Sequence, residues 1–259
     1  MSGADLELRD VRLAYGRRDV LRGVDLHLAA GERVALLGEN GAGKTSLLRC
    51  ISGLARRHAG VVLLDGQPLE EYERAHLARR IGVVPGQTSV AFPLPVEQLV
   101  ALGRIPHEHP LRGPRQADRE AVATAIERVG IGHLVGRDVR ELSLGERQLA
   151  VLAMSIAQQA RLLLLDEPTV HLDLRHQVEV MELLGRLAVE DGVTVLAVLH
   201  DVALAAHYFD RVALLHDGRL VADGPPDEVL TTARVRQVYG VSAEFAELVR
   251  RRVGGGTGG

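Results

Sequence analysis

One octapeptide constrains this chain more than any other feature: Gly38-Glu39-Asn40-Gly41-Ala42-Gly43-Lys44-Thr45. It follows Val34-Ala35-Leu36-Leu37, a continuous apolar run of the kind found in a strand covered on both faces. It precedes apolar residues at a helical spacing, Leu47, Leu48, Ile51 and Leu54. A glycine-rich turn between strand and helix lets backbone N–H groups curl inward, and the helix offers its positive end to the same point. Both favour a phosphate. In such a loop the lysine reaches the β- and γ-phosphates of a nucleotide and the following hydroxyl reaches Mg²⁺. Gly38, Glu39, Asn40, Gly41, Ala42, Gly43, Lys44, Thr45 and Ser46 are therefore candidate nucleotide contacts, with Thr45 a candidate metal ligand. Composition sharpens the point, because Lys44 is the sole lysine among 31 basic residues. Arginine supplies generic positive charge elsewhere, so position 44 requires a compact ammonium.

A second run, Leu162-Leu163-Leu164-Leu165-Asp166-Glu167, reads as a buried strand that ends in adjacent carboxylates. Hydrolysis of a nucleoside triphosphate needs a charge-neutralising cation and a positioned water. Asp166 is the candidate for the metal's shell and Glu167 for the water.

Strands and helices alternate through most of the chain, which predicts an α/β fold with a mainly parallel core sheet. The first thirty residues differ: Leu6, Leu8, Val11 and Leu13, then Val24, Leu26 and Leu28, have the period-two spacing of half-buried antiparallel strands. From about 88 to 155 helical spacing dominates, at 117–129 and 145–160, and suggests a helical insertion. A helix face at Val178, Met181, Leu184 and Leu187 and an apolar strand at Val193–Leu199 follow, and Gly254–Gly259 reads as a flexible tail. With a net charge of −3 and 3% aromatic residues, nothing points to a nucleic-acid surface. The single cysteine, Cys50, excludes an internal disulfide and reads as a small packed apolar group. The most apolar stretch, Leu149–Leu165, is broken by Gln158, Gln159 and Arg161, so any membrane role must come through a partner.

Between the two nucleotide motifs lies Leu142-Ser143-Leu144-Gly145-Glu146-Arg147-Gln148. Here the chain resembles the ATP-binding-cassette (ABC) ATPases, whose diagnostic loop reads LSGGQ or LSGGE. Other matches fall in the family's order: Tyr15 where an aromatic residue stacks on adenine, Thr169 to Asp173 where a loop crosses between subunits, and His200 where a switch histidine contacts the γ-phosphate. The resemblance spans about residues 5–230. It implies a P-loop NTPase (RecA-like) core with an N-terminal antiparallel β subdomain and an inserted α-helical subdomain. The expected layout is a single ATPase domain over 1–240, its core at about 1–88 and 156–240 and its helical subdomain at about 89–155. A C-terminal extension is expected over 241–259. The resemblance further implies ATP and Mg²⁺ as cofactors and a homodimer with ATP sandwiched between two copies. Ser143, Gly145 and Glu146 of one copy would then close the nucleotide site of the other. It also implies integral-membrane permease subunits as partners, a solute-binding protein reached indirectly, and a place on the cytoplasmic face of the inner membrane.

Two departures stand out. The family's loop glutamine follows proline directly, whereas Val84-Pro85-Gly86-Gln87 inserts a glycine and leaves Gln87 as the candidate catalytic and metal-linked residue. Leu144 replaces the first glycine of the signature pair, and leucine is disfavoured at positive φ. Phe92-Pro93 and Leu102-Gly103-Arg104-Ile105-Pro106-His107 resemble importer ATPases for iron–siderophore, haem and cobalamin complexes. His107 and His109 lack further metal ligands and read as a solvated or permease-facing loop. The alternatives are an ATP-binding switch with weak hydrolysis, an ABC ATPase for another solute such as a metal ion, and a soluble ABC protein.

Overall fold

A computed structural model describes residues 3–86, 92–108 and 113–254. The chain opens with β1 (Leu6–Tyr15), β2 (Arg18–Leu28) and β3 (Arg33–Leu37), followed by α1 (Lys44–Ile51), β4 (Ala59–Leu64) and the short β5 (Gln67–Pro68). Strands β2, β1, β4 and β5 form an antiparallel sheet in that order. A bulge at Asp10, whose φ is +46°, absorbs the three-residue step from Leu8 to Val11 and leaves both side chains buried.

Next come α2 (Arg74–Arg80) and β6 (Ile81–Val84), then α3 (Val96–Ala101), a 3₁₀ segment at Leu102–His107, α4 (Gln116–Val129) and α5 (Leu144–Ala157). The core resumes with β7 (Leu162–Asp166), α6 (Leu174–Asp191), β8 (Thr194–Val198), α7 (Val202–Tyr208), β9 (Arg211–His216) and β10 (Arg219–Gly224). It ends with α8 (Pro226–Val229), α9 (Thr232–Tyr239) and α10 (Ala243–Gly254). The second sheet runs β10-β9-β3-β8-β7-β6, parallel throughout except for β10. The α/β fold, its antiparallel N-terminal part and its helical insertion are those the sequence predicts.

Alternation along the parallel strands divides the interior in two. Val34, Leu36, Leu162, Leu164, Leu196 and Val198 face α1 and the antiparallel sheet. Ala35, Leu37, Leu163, Leu165, Val195 and Ala197 face α5, α6 and the C-terminal helices. Each fully buried aliphatic side chain stabilises the fold by about 1.5–3 kcal/mol, so the central strands are held from both faces.

Three expectations need correction. Leu54 does not extend the face of α1: the helix stops at Ile51 and Leu54 is 74% exposed. The Gly-rich tail does not begin at Gly254, because α10 runs Ala243–Gly254, and the extension buries Ala246. His107 is not simply solvated, since its Nε2 lies 2.8 Å from the Gln158 carbonyl. Gln87 and His109 lie outside the described residues.

Candidate active site

The sheet order places β8 between β3 and β7, and Val198 is flanked in register by Leu36 on one side and Asp166 on the other. The segments that leave the C-terminal ends of these strands therefore converge: Gly38–Lys44 after β3, His200 after β8, and Glu167 after β7. Open parallel sheets bind ligands at this edge.

Gly38 adopts φ +150°, and a Cβ there would stand 2.1 Å from the Leu215 carbonyl, so the loop can begin only with glycine. Gly43, at φ +107°, caps α1 without a side chain, which leaves the first-turn N–H groups available to an anion. Lys44 is only 6% exposed. Its Nζ donates to the carbonyls of Gly38 at 2.7 Å and Glu39 at 2.9 Å. Burial pushes the ammonium below its usual value, against the attraction of Glu167, Asp166 and Glu39. Thr45 Oγ1 donates to Asp166 Oδ1 at 3.1 Å, and burial is the main cause that raises the Asp166 carboxyl. A hydroxyl and a carboxylate this close form a hard-oxygen pair of the kind that fits Mg²⁺.

Glu167 sits in the left-handed region at φ +53°, its N–H fixed on the Val198 carbonyl at 3.0 Å. That turn aims its carboxylate at His200, with Oε1 2.5 Å from Nε2. Asp201, the next residue, caps α7, accepting from the Ala203 and Leu204 amides.

A cleft of about 370 Å³ is lined by Tyr15, Asn40, Gly41, Gly43 and Glu167, with Lys44, Thr45 and Ser46 at its base. Tyr15 stands at its mouth, 48% exposed. Arg18 and Val20 line it too, and no motif in the sequence singles them out. Glu39 turns its carboxylate to His216 Nδ1 at 2.9 Å, and Ala42 is buried with its carbonyl bonded to Gly218 N–H.

The Ser143 loop is not part of this cleft. Ser143 caps α5: its Oγ accepts the Glu146 N–H at 3.2 Å, and the Glu146 carboxylate accepts the Ser143 N–H at 2.8 Å. Glu146 thus shapes the loop through the Ser143 backbone. Leu144 corrects an expectation: it is the first residue of α5 with ordinary helical backbone, 58% exposed, and the feared positive φ does not arise. Gly145 packs against the Thr169–Asp173 loop, where a Cβ would lie 3.1 Å from the His171 carbonyl. Gln148 donates to the Pro85 carbonyl at 3.4 Å, and a Cβ on Gly86 would lie 2.9 Å from the Asp166 carbonyl. Glycine at position 86 thus lets the loop backbone lie against the end of β7.

Taken with the parallel sheet, this edge defines a P-loop nucleoside triphosphatase. Comparison with known proteins narrows the class. Residues 21–170 match the family model described as ABC transporter. The ferric enterobactin transport ATP-binding protein of Escherichia coli K12 is 39% identical over 93% of this chain and 89% of its own length. A hemin import ATP-binding protein of Streptomyces coelicolor is 45% identical over 88% and 81%. Among solved structures, an inward-facing ABC transporter of metal-chelate type superposes with a TM-score of 0.80 at 28% identity, covering 93% of this chain and 90% of that one. The chain belongs to the ABC transporter family and is one of its ATP-hydrolysing, ATP-binding proteins.

Proposed function

We propose that two copies of this chain work head to tail as the ATPase of an importer for an iron chelate, a siderophore complex or haem. The single observation that carries the dimer is that the cleft around Lys44 has no wall from its own Ser143 loop. A second copy supplies that wall, with Ser143 and Gly145 offering a hydroxyl and an amide to the γ-phosphate. Lys44 and the amides of Gly41 to Ser46 hold the phosphates, and Tyr15 stacks on the base. Thr45 and Asp166 would hold Mg²⁺, with Gln87 as a further ligand, and the ion would supply neutralisation of phosphate charge. Glu167 accepts a proton from the attacking water, and His200 orients Glu167 and the γ-phosphate.

The solute class rests on relatives named for ferric enterobactin and hemin. No helix among the described residues is long and apolar enough to cross a membrane. The relatives named as transport and import ATP-binding proteins support the reading that the chain works on the cytoplasmic face with permease subunits, which receive solute from a binding protein. A groove of about 530 Å³ where α1, α2, β6 and Gln158 meet, with exposed Leu54 on its rim, suits an apolar permease segment. Leu102 and Ile105 stand exposed on the segment tied to Gln158. Reconstitution with the permease tests this reading: an iron chelate should stimulate ATP hydrolysis, and stimulation by an unrelated solute instead would refute it. A weakly hydrolysing switch is disfavoured, since helical Leu144 leaves the Ser143 loop intact.

A further inference from the structure

The sequence Leu102–His107 takes no part in the nucleotide cleft, yet it buries a charge. Arg104 is the one arginine buried among the described residues, at 6% exposure. Gly103 permits the approach, because a Cβ there would lie 2.1 Å from the Met154 carbonyl of α5. Arg104 Nε donates to Asp118 Oδ1 at 3.0 Å, and its Nη1 donates to the Ala157 carbonyl at 2.7 Å and Gln159 Oε1 at 2.9 Å. Asp118 in turn accepts the Arg115 N–H at 2.8 Å and so caps α4. His107 donates from Nε2 to the Gln158 carbonyl. Burial pushes its imidazole below the ordinary value.

The last carbonyls of a helix have no partner within it. Here Arg104 and His107 supply partners at the end of α5 and bind a second segment in doing so. The join reaches the core as well: Arg79 Nε donates to the Pro106 carbonyl at 2.6 Å, and Gln158 Nε2 donates to the Ile81 carbonyl at 2.9 Å. On the outside, Leu102 and Ile105 lie one 3₁₀ turn apart, 44% and 59% exposed. At its other end, about 20 Å away by helical rise, α5 begins with the Ser143 loop. Its middle, Leu149 to Ala153, is wholly buried and cannot bend independently.

We infer that Arg104 and His107 are positioning residues that fasten the exposed Leu102–Ile105 strip to α5. Displacement of that strip by the permease then moves the Ser143 loop. The inference rests on the proposed docking of a permease. Arginine is required because one planar guanidinium meets a carboxylate and a helix carbonyl at once; lysine can keep the first contact and lose the second.

The test uses the complete transporter in liposomes with Arg104→Lys, His107→Leu and His107→Gln. Basal ATPase of the isolated chain should stay within about twofold, and co-purified permease should stay at wild-type amounts. Permease-stimulated hydrolysis and transport per ATP should fall about fivefold or more in Arg104→Lys and His107→Leu, while His107→Gln, which keeps an N–H donor, should retain both. Unchanged coupling in Arg104→Lys and His107→Leu overturns the inference. So does a parallel loss of basal and stimulated activity, which marks ordinary structural damage. A fall in His107→Gln equal to that in His107→Leu removes the hydrogen bond as the cause and overturns it too. Failure of the wild-type chain to co-purify with permease refutes the underlying reading, and this inference with it.

Discussion

Nε2 of His200 lies 2.5 Å from Oε1 of Glu167, joining the end of β8 to the end of β7 beside the buried Lys44. Glu167→Gln removes the proposed base while keeping the shape. ATP turnover should drop by about a hundredfold or more, with ATP affinity preserved and dimers accumulating. Steady-state phosphate release and gel filtration with ATP check this; a Glu167→Gln protein that hydrolyses normally would remove Glu167 from the chemistry.

Lys44→Arg keeps the charge and yields a chain without lysine. The guanidinium is too broad for a position 6% exposed between the Gly38 and Glu39 carbonyls. ATP affinity should fall about tenfold or more, because a planar fork replaces a compact point charge. Titration with a fluorescent nucleotide measures it.

Leu144→Gly should change little. Leu144 occupies ordinary helical backbone at the start of α5, so glycine relieves no strain and costs up to about 1 kcal/mol of helix propensity. Turnover should shift less than about threefold, and a large gain in hydrolysis would show that the leucine side chain obstructs the dimer seam.

Asp118→Asn should destabilise the chain by about 3 kcal/mol near neutral pH, since it leaves Arg104 buried without a counter-charge. The Arg115 N–H and then the Arg104 guanidinium hold the Asp118 carboxyl below its ordinary value. A carboxyl lowered by folding stabilises at pH above its unfolded value and loses that contribution as pH falls through the folded one. The gap between variant and wild type should therefore hold constant from pH 8 to about pH 5. It should close only below the usual carboxylate range, as followed by denaturant unfolding.

Cys50 is 1% exposed, and burial raises its thiol to about 11. At pH 8 the thiolate fraction is then about one in a thousand. Alkylation of the native chain should be negligible over hours and complete within minutes in denaturant, as read by mass spectrometry.

The phosphate loop, the β7 carboxylates and the N-terminal antiparallel strands were legible because each is a local pattern: glycines at a strand–helix turn, an apolar run ending in acid, and period-two alternation. The partnership of Glu167 with His200 was not, because 33 residues separate them and only the placing of β8 next to β7 joins them. Arg18 and Val20 escaped notice because an arginine and a valine in a hairpin look alike wherever they face. The LGRIPH segment was visible as a resemblance, but its work, capping α5, depends on carbonyls some fifty residues away.

By itself the sequence determined which chemistry is available: one lysine in a glycine-rich loop, two adjacent carboxylates, and a serine–glycine signature, since these depend on side-chain identity and short spacing. The tertiary structure alone decided which groups meet and which stay apart. The order of the parallel strands sets His200 on Glu167, the helical start of α5 spares Leu144 a positive φ, and the Ser143 loop is left off its own nucleotide cleft. Such outcomes follow from packing between segments distant in the chain, a property that no local spacing encodes.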